Sequence, residues 1–152
     1  MSHIQRTALV HYSPAEMFQL VNDIDAYADF LPWCRSAQIL SQKELAQETR
    51  EIVASVEIAK GVLNKTFTTR NRLTADKRID MMLVDGPFKK LQGYWQFDAL
   101  KTDNACKVNL ELDFEFDGAL ISIAAKPIFT QIATTLVDAF CKRAVDVYGE
   151  RF

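Results

Sequence analysis

The chain has 152 residues, 49% of them hydrophobic, with 20 acidic and 18 basic side chains and a formal net charge of -2. A chain of this size can bury about 70% of its unfolded surface, so neither a metal nor a disulfide framework is needed for folding. With only 5 Gly and 4 Pro, no linker, low-complexity segment or repeat divides the sequence, and a single domain over residues 1–152 is expected.

Three cysteines, Cys34, Cys106 and Cys141, are odd in number and widely spaced, without a CxxC pair. Reduced structural thiols are the expectation. No uninterrupted apolar run approaches the roughly 20 residues that cross a bilayer, and the first residues do not read as a signal peptide. A cytoplasmic protein without a transmembrane segment is expected.

In chain order, residues 3–11 read as a strand. Ser13, Pro14 and Glu16 then mark a helix start: a capping serine, proline at the first helical position, and a glutamate that completes a capping box. Met17, Phe18, Leu20 and Val21 form the apolar side of this helix, which should end near Asn22. A second short helix is expected over residues 23–30, with Asp23 as its cap and Pro32 as its stop.

From Cys34 to Asp117 the apolar period becomes two, punctuated by Gly61, Asp76-Lys77, Asp85-Gly86-Pro87 and Thr102-Asp103-Asn104. This predicts a meander of antiparallel strands. Cys106, Val108, Leu110, Leu112, Phe114 and Phe116 alternate with Lys107, Asn109, Glu111, Asp113, Glu115 and Asp117, so one face is buried and the other wet. By the same parity Ile52, Ala54, Val56, Ile58, Leu63, Phe67, Leu91, Gly93, Trp95 and Phe97 face inward. The sheet needs a cover. Ile121, Ala125, Phe129, Ile132, Leu136, Phe140, Ala144 and Val147 supply it as one stripe of a long helix. Pro127 is expected to break or kink that helix early, leaving a continuous part from about Pro127 to Tyr148, with Gly149 as its stop.

Four separated segments carry a family likeness: Ser13-Pro14-Ala15-Glu16-Met17-Phe18; Tyr27-Ala28-Asp29-Phe30-Leu31-Pro32-Trp33-Cys34; residues 85–97, DGPFKKLQGYWQF; and residues 139–149, AFCKRAVDVYG. Together they resemble the coenzyme Q-binding, polyketide cyclase-like branch of the START superfamily. One departure is Ala28, where many relatives carry proline. The resemblance implies an α+β helix-grip fold, with a curved antiparallel sheet of six to seven strands wrapped on a long C-terminal helix and two short helices after the first strand. It also implies an apolar cavity. Mitochondrial members bind ubiquinone and support respiration, and bacterial members are assigned a toxin role at the large ribosomal subunit. Superfamily cousins cyclise polyketides.

For a quinone or lipid ligand, the candidate residues are the inward aromatics Phe67, Trp95, Phe97, Phe114 and Phe116, and Phe129, Leu136 and Phe140 of the long helix. Tyr27, Phe30, Leu31 and Trp33 place bulky apolar groups in a connection, where a cavity mouth would use them. Thr69 and Asn71 share the parity of Phe67 and are the candidate polar contacts. For a ribosomal partner, a sequence pI near 5.7 is not the footprint of a strong RNA binder. Locally, however, Lys60, Lys65, Arg70, Arg72, Lys77 and Arg78 stand against one acid, Asp76, and Lys65, Arg70 and Arg72 are the candidate ribosome-facing residues.

The sequence contains no GxSxG, P-loop, GxGxxG or HExxH. His3 and His11 have no adjacent cysteine or acid. A non-enzymatic binding protein without metal or cofactor, other than ubiquinone or another lipid as bound ligand, is the leading expectation. A polyketide cyclase-like enzyme using the same cavity is the alternative. An antitoxin is a further expected partner through the resemblance, and DNA is not.

Overall fold

The computed structural model describes residues 1–101 and 104–151. Seven strands form one antiparallel sheet: β1 (Ser2–Val10), β2 (Cys34–Ala46), β3 (Thr49–Lys60), β4 (Leu63–Thr74), β5 (Arg78–Asp85), β6 (Phe88–Ala99) and β7 (Cys106–Phe116). Their order is β1-β7-β6-β5-β4-β3-β2. β2 to β7 are therefore a meander, and β1 closes the far edge beside β7, with Ile4 opposite Leu112. β1 and β2 are consecutive in sequence but lie at opposite edges of the sheet, so the chain must cross between them. Helix α1 (Pro14–Asn22), a 3-10 turn (Ile24–Ala26) and helix α2 (Tyr27–Phe30) make that crossing, and helix α3 (Ala119–Tyr148) follows β7. The arrangement is the helix grip, with the sheet closing on α3.

Local chemistry accounts for these elements. At α1 the Ser13 hydroxyl accepts from the Glu16 amide while the Glu16 carboxylate accepts from the Ser13 amide, at 3.1 and 2.9 Å. Two donors at this helix end are thereby satisfied reciprocally. Asp23 precedes the 3-10 turn but makes no side-chain cap bond. β7 is buried at every second residue from Cys106 to Phe116, as its alternation requires. Thr102 and Asp103 of the expected β6–β7 turn lie outside the described residues.

The long helix departs from expectation in two ways. It runs without interruption through Pro127, from Ala119 to Tyr148. Proline deprives the carbonyl four residues back of its donor, but that carbonyl belongs to Ile123, which is 77% exposed, so water can solvate it and the helix continues. Val147 also leaves the apolar stripe: it is exposed, and the buried residues are Ala125, Phe129, Ile132, Ala133, Val137, Phe140 and Ala144. The last turn is held through Tyr148 instead, whose hydroxyl donates to the Glu16 carbonyl at 3.0 Å.

Two apolar clusters result. One gathers Met17, Phe18, Trp95, Phe97 and Phe140 beneath α1 and the second half of α3. The other gathers Phe88, Phe114, Phe116 and Phe129 beneath its first half. Cys106 is fully buried, and burial pushes its thiol up to about 12. Cys34, Cys106 and Cys141 are all free. A protonated thiol is a poor nucleophile and a poor metal ligand.

A polar clasp joins the ends of α3 and α1. Arg151 donates two hydrogen bonds to the Glu16 carboxylate at 2.7 and 2.8 Å, and the Tyr12 hydroxyl donates to the Gly149 carbonyl at 2.6 Å. The Arg151 guanidinium lowers the Glu16 carboxyl from 4.5 to about 2, aided by the Ser13 bonds and opposed by burial. A lowered folded-state value stabilises above the unfolded value and is lost as pH falls through the folded one. The clasp should therefore be complete above pH 4.5 and released toward pH 2. Glu16→Gln keeps the capping acceptor and removes the charge. Its cost should be about 1 kcal/mol at neutral pH and should vanish near pH 2. Urea melts of both proteins across that range would show it, and parallel pH curves would refute the assignment.

Candidate ligand cavity

Between the sheet and α3 lies an apolar void of about 110 Å³. Its position follows from residue size. Phe18 meets Phe97 under α1, with ring centroids 6.0 Å apart, and Phe129 meets Phe114 at 4.7 Å under the start of α3. Between these two aromatic contacts, Ala54 and Val56 of β3 face Ala133 of α3, and the short side chains leave the space unfilled.

Of the residues singled out from the sequence, Tyr27, Trp33, Phe67, Thr69, Asn71, Trp95, Phe129, Leu136 and Phe140 line this void. Phe97, Phe114 and Phe116 do not. Strand parity places them on the concave face, but α1 and the first half of α3 cover them, and they are core. Phe30 lies behind the wall, edge-on to Phe140 at 5.3 Å with the Arg143 guanidinium over its ring. Leu31 is buried and also stands outside the lining.

The connection from α2 to β2 is tied at three places. The Tyr27 hydroxyl donates to the Val21 carbonyl, the Cys34 amide to the Leu31 carbonyl at 2.9 Å, and the Ala59 amide to the Trp33 carbonyl at 2.8 Å. Desolvation raises the Tyr27 phenol well above its ordinary value, so it remains a neutral donor. Ile24, Met81, Leu91, Ile132 and Ala133 line the void without having been singled out as ligand contacts. Ile132 and Ala133 sit three and four residues beyond Phe129, a spacing the helical period makes readable. β5 lacks a clear alternation, so Met81 carried no signal.

Polarity is concentrated at one spot. Thr69 and Asn71 are buried, and the Thr69 hydroxyl donates to the Asn71 side-chain oxygen at 2.9 Å. That orientation leaves the two amide hydrogens of Asn71 for a further acceptor. The lining contains no Asp, Glu, His, Lys or Arg. Among the described residues, no cluster of three or more His, Cys, Asp or Glu could hold a metal.

On the opposite face, Arg70 and Arg72 are exposed. Arg70 reaches Glu51 at 3.3 Å, and Arg72 stands in register between Glu51 of β3 and Asp80 of β5. The neighbouring strands thus set acids beside a segment that reads as almost wholly basic along the chain. Lys65 is exposed but registers with the inward Ile58, which puts it at the rim of the concave face, away from the two arginines.

Comparison with known proteins places these features in a family. A model described as polyketide cyclase / dehydrase and lipid transport matches residues 10–141. The ribosome association toxin RatA of Pseudomonas aeruginosa is 46% identical over 148 residues, covering 97% of this chain and 99% of that protein. The mitochondrial coenzyme Q-binding protein COQ10 of Dictyostelium discoideum is 21% identical over 146 residues, covering 95% of this chain and 70% of that protein. In fold, a START superfamily protein from Mycobacterium smegmatis matches with a TM-score of 0.75 at 19% identity, covering 93% of this chain and 95% of that one. With the family model spanning most of the length and a relative matching almost end to end, the chain belongs to the polyketide cyclase / dehydrase and lipid transport family, in its START-like, ribosome association toxin branch.

Proposed function

We propose that this protein is a non-enzymatic, cytoplasmic START-like binding protein that holds ubiquinone or a similar lipid and also binds the large ribosomal subunit, inhibiting subunit association. The observation that carries the ribosomal half is the end-to-end likeness, at 46% identity, to a relative named as a ribosome association toxin. The void with its single buried polar pair supports the ligand half, together with the distant coenzyme Q-binding relative. A lining without an ionisable acid–base pair favours binding over cyclisation, since general acid–base catalysis needs such groups in reach of the substrate. An antitoxin is a further partner on this reading.

The void as it stands is small. A cavity of about 150 Å³ holds a benzene ring, whereas pockets for larger ligands run from about 300 Å³ upward. A prenylated quinone must therefore displace side chains, and the half-buried Met81 and Leu136, unbranched at Cβ, are the lining side chains best suited to change rotamer. Tail burial would supply roughly 0.8 kcal/mol per CH₂, while Asn71 would donate to a quinone carbonyl.

Both tryptophans, Trp33 and Trp95, line the void, so quenching by a short-chain ubiquinone reads occupancy directly. The double change Thr69→Val with Asn71→Leu removes both polar partners together, leaving no orphaned hydroxyl. It should weaken quinone binding about tenfold while leaving a hydrocarbon of the same length unaffected. Equal losses for both ligands would assign the pair to packing. For the ribosomal half, wild-type protein should shift isolated subunits away from joined ribosomes in sucrose gradients. Arg70→Glu with Arg72→Glu should weaken that effect and flatten its salt dependence. Unchanged inhibition with the same salt slope would exclude this face.

A further inference from the structure

The first half of α3 carries a second apolar stripe, opposite the buried one. Leu120, Ile123, Ala124 and Pro127 recur at the i, i+3, i+4, i+7 spacing of one helix face, and all four are exposed, Leu120 at 86% and Ile123 at 77%. By length and composition α3 is apolar enough to cross a membrane, yet only 28% of its most apolar 18 residues are buried. A helix that merely plugged the sheet would be polar on its outer face.

A second apolar group stands beside this stripe. Val62, at the β3–β4 turn, is 73% exposed. The turn abuts α3, because a Cβ placed on Gly61 would lie 3.3 Å from the Ile128 side chain. The β5–β6 turn reaches the same end, tied by the Asp117 amide donating to the Pro87 carbonyl at 2.9 Å.

Charge at this end favours one kind of partner. Lys126 lies beside the stripe, next to Pro127, Lys60 and Lys65 flank the β3–β4 turn, and Lys89 follows the β5–β6 turn; among the described residues none of the four makes an ion pair. Asp85 and Asp117 are the exposed acids nearby. Exposed aliphatic side chains fringed by long-stemmed lysines match the boundary of an anionic bilayer, where the apolar groups enter the acyl region and the ammonium groups meet lipid phosphates. The cavity also ends here: Trp33, Ile58 and Phe67 line it, and the Trp33 carbonyl is bonded to the Ala59 amide, two residues before Gly61.

We propose that Leu120, Ile123 and Pro127 of α3, with Val62 of the β3–β4 turn and the surrounding lysines, form a docking surface for anionic lipid bilayers. Docked this way, the first half of α3 lies along the membrane surface and the end of the cavity lined by Trp33, Ile58 and Phe67 faces the acyl region. An apolar ligand then exchanges between membrane and protein without crossing water. The docking itself does not depend on which ligand the cavity holds.

The test is flotation of the full chain, without quinone, on vesicles of phosphatidylcholine with and without phosphatidylglycerol. Wild type should float with the mixed vesicles, and less so as salt rises. Leu120→Gln with Ile123→Gln exchanges two exposed side chains for a good helix former and should lower vesicle partitioning by about tenfold or more, with an unchanged melting temperature. Lys60→Glu with Lys126→Glu should abolish the preference for phosphatidylglycerol. Wild type that stays at the bottom of the gradient, or a glutamine variant that floats as wild type does, overturns the proposal. So does a glutamine variant that loses self-association or subunit binding while wild type ignores vesicles, since the stripe then serves a second copy or the ribosome. Quinone titration of the glutamine variant in solution separates the two readings: affinity there reports on the cavity alone.

Discussion

Phe140→Ala should lower the unfolding free energy by about 3–5 kcal/mol, among the largest single-residue losses expected for this chain. Phe140 is 1% exposed and joins three elements: its ring meets Tyr27 of α2 at 5.5 Å, Phe30 of α2 at 5.3 Å and Trp95 of β6 at 5.3 Å, all edge-on. Truncation forfeits those contacts and enlarges a void that already exists, so the surroundings have little to collapse with. Phe140→Leu, which retains most of the volume, should cost less than half as much. Chemical denaturation of the three proteins measures the difference. Titrating folded Phe140→Ala with quinone then asks a separate question: an affinity equal to wild type would remove this ring from the ligand site while leaving its structural role intact.

Gly93→Ala should be comparably damaging, although it adds a single methyl group. A Cβ at Gly93 would stand 2.1 Å from the Glu111 carbonyl oxygen and 2.9 Å from the Leu112 Cα. Both are backbone atoms of β7, which cannot swing aside as a side chain would. β6 and β7 would have to separate inside the sheet, midway along their pairing, at a cost of about 3 kcal/mol or more. Gly149→Ala serves as the control. Its φ of +88° carries the usual strain for a side chain, but nothing lies within 4 Å of the added carbon, so a loss of about 1 kcal/mol is expected. Gly93→Ala melting together with Gly149→Ala would mean that β6 and β7 are not as close as this structure has them.

These two positions also mark where sequence reading stops. At Gly93 the chain shows only a glycine at an inward strand position, which signals some close approach without saying to what. Its meaning lies in β7, which begins 13 residues later. Phe140 is legible as one tooth of a helical stripe, yet nothing local distinguishes it from Val147, which the helix carries past the edge of the core into solvent.

What the sequence alone determined is whatever short-range chemistry encodes. The capping box at Ser13, the alternation from Cys106 to Phe116 and the apolar stripe from Ala125 to Ala144 each depend on residues a few positions apart, and each is present in the structure. Tertiary structure decided the rest. Strand parity assigns Trp95 and Phe116 to one face, but the line that α3 takes across the sheet makes one a cavity wall and the other core. The same register places Glu51 and Asp80 on either side of Arg72, with Glu51 also within reach of Arg70, and turns Lys65 toward the cavity rim. Pro127, a helix breaker by its own chemistry, is tolerated because the carbonyl it frees faces solvent. The cavity is bounded by small side chains such as Ala54 of β3 and Ala133 of α3, 79 residues apart in sequence: a gap between elements is a property of their crossing, which no local pattern encodes.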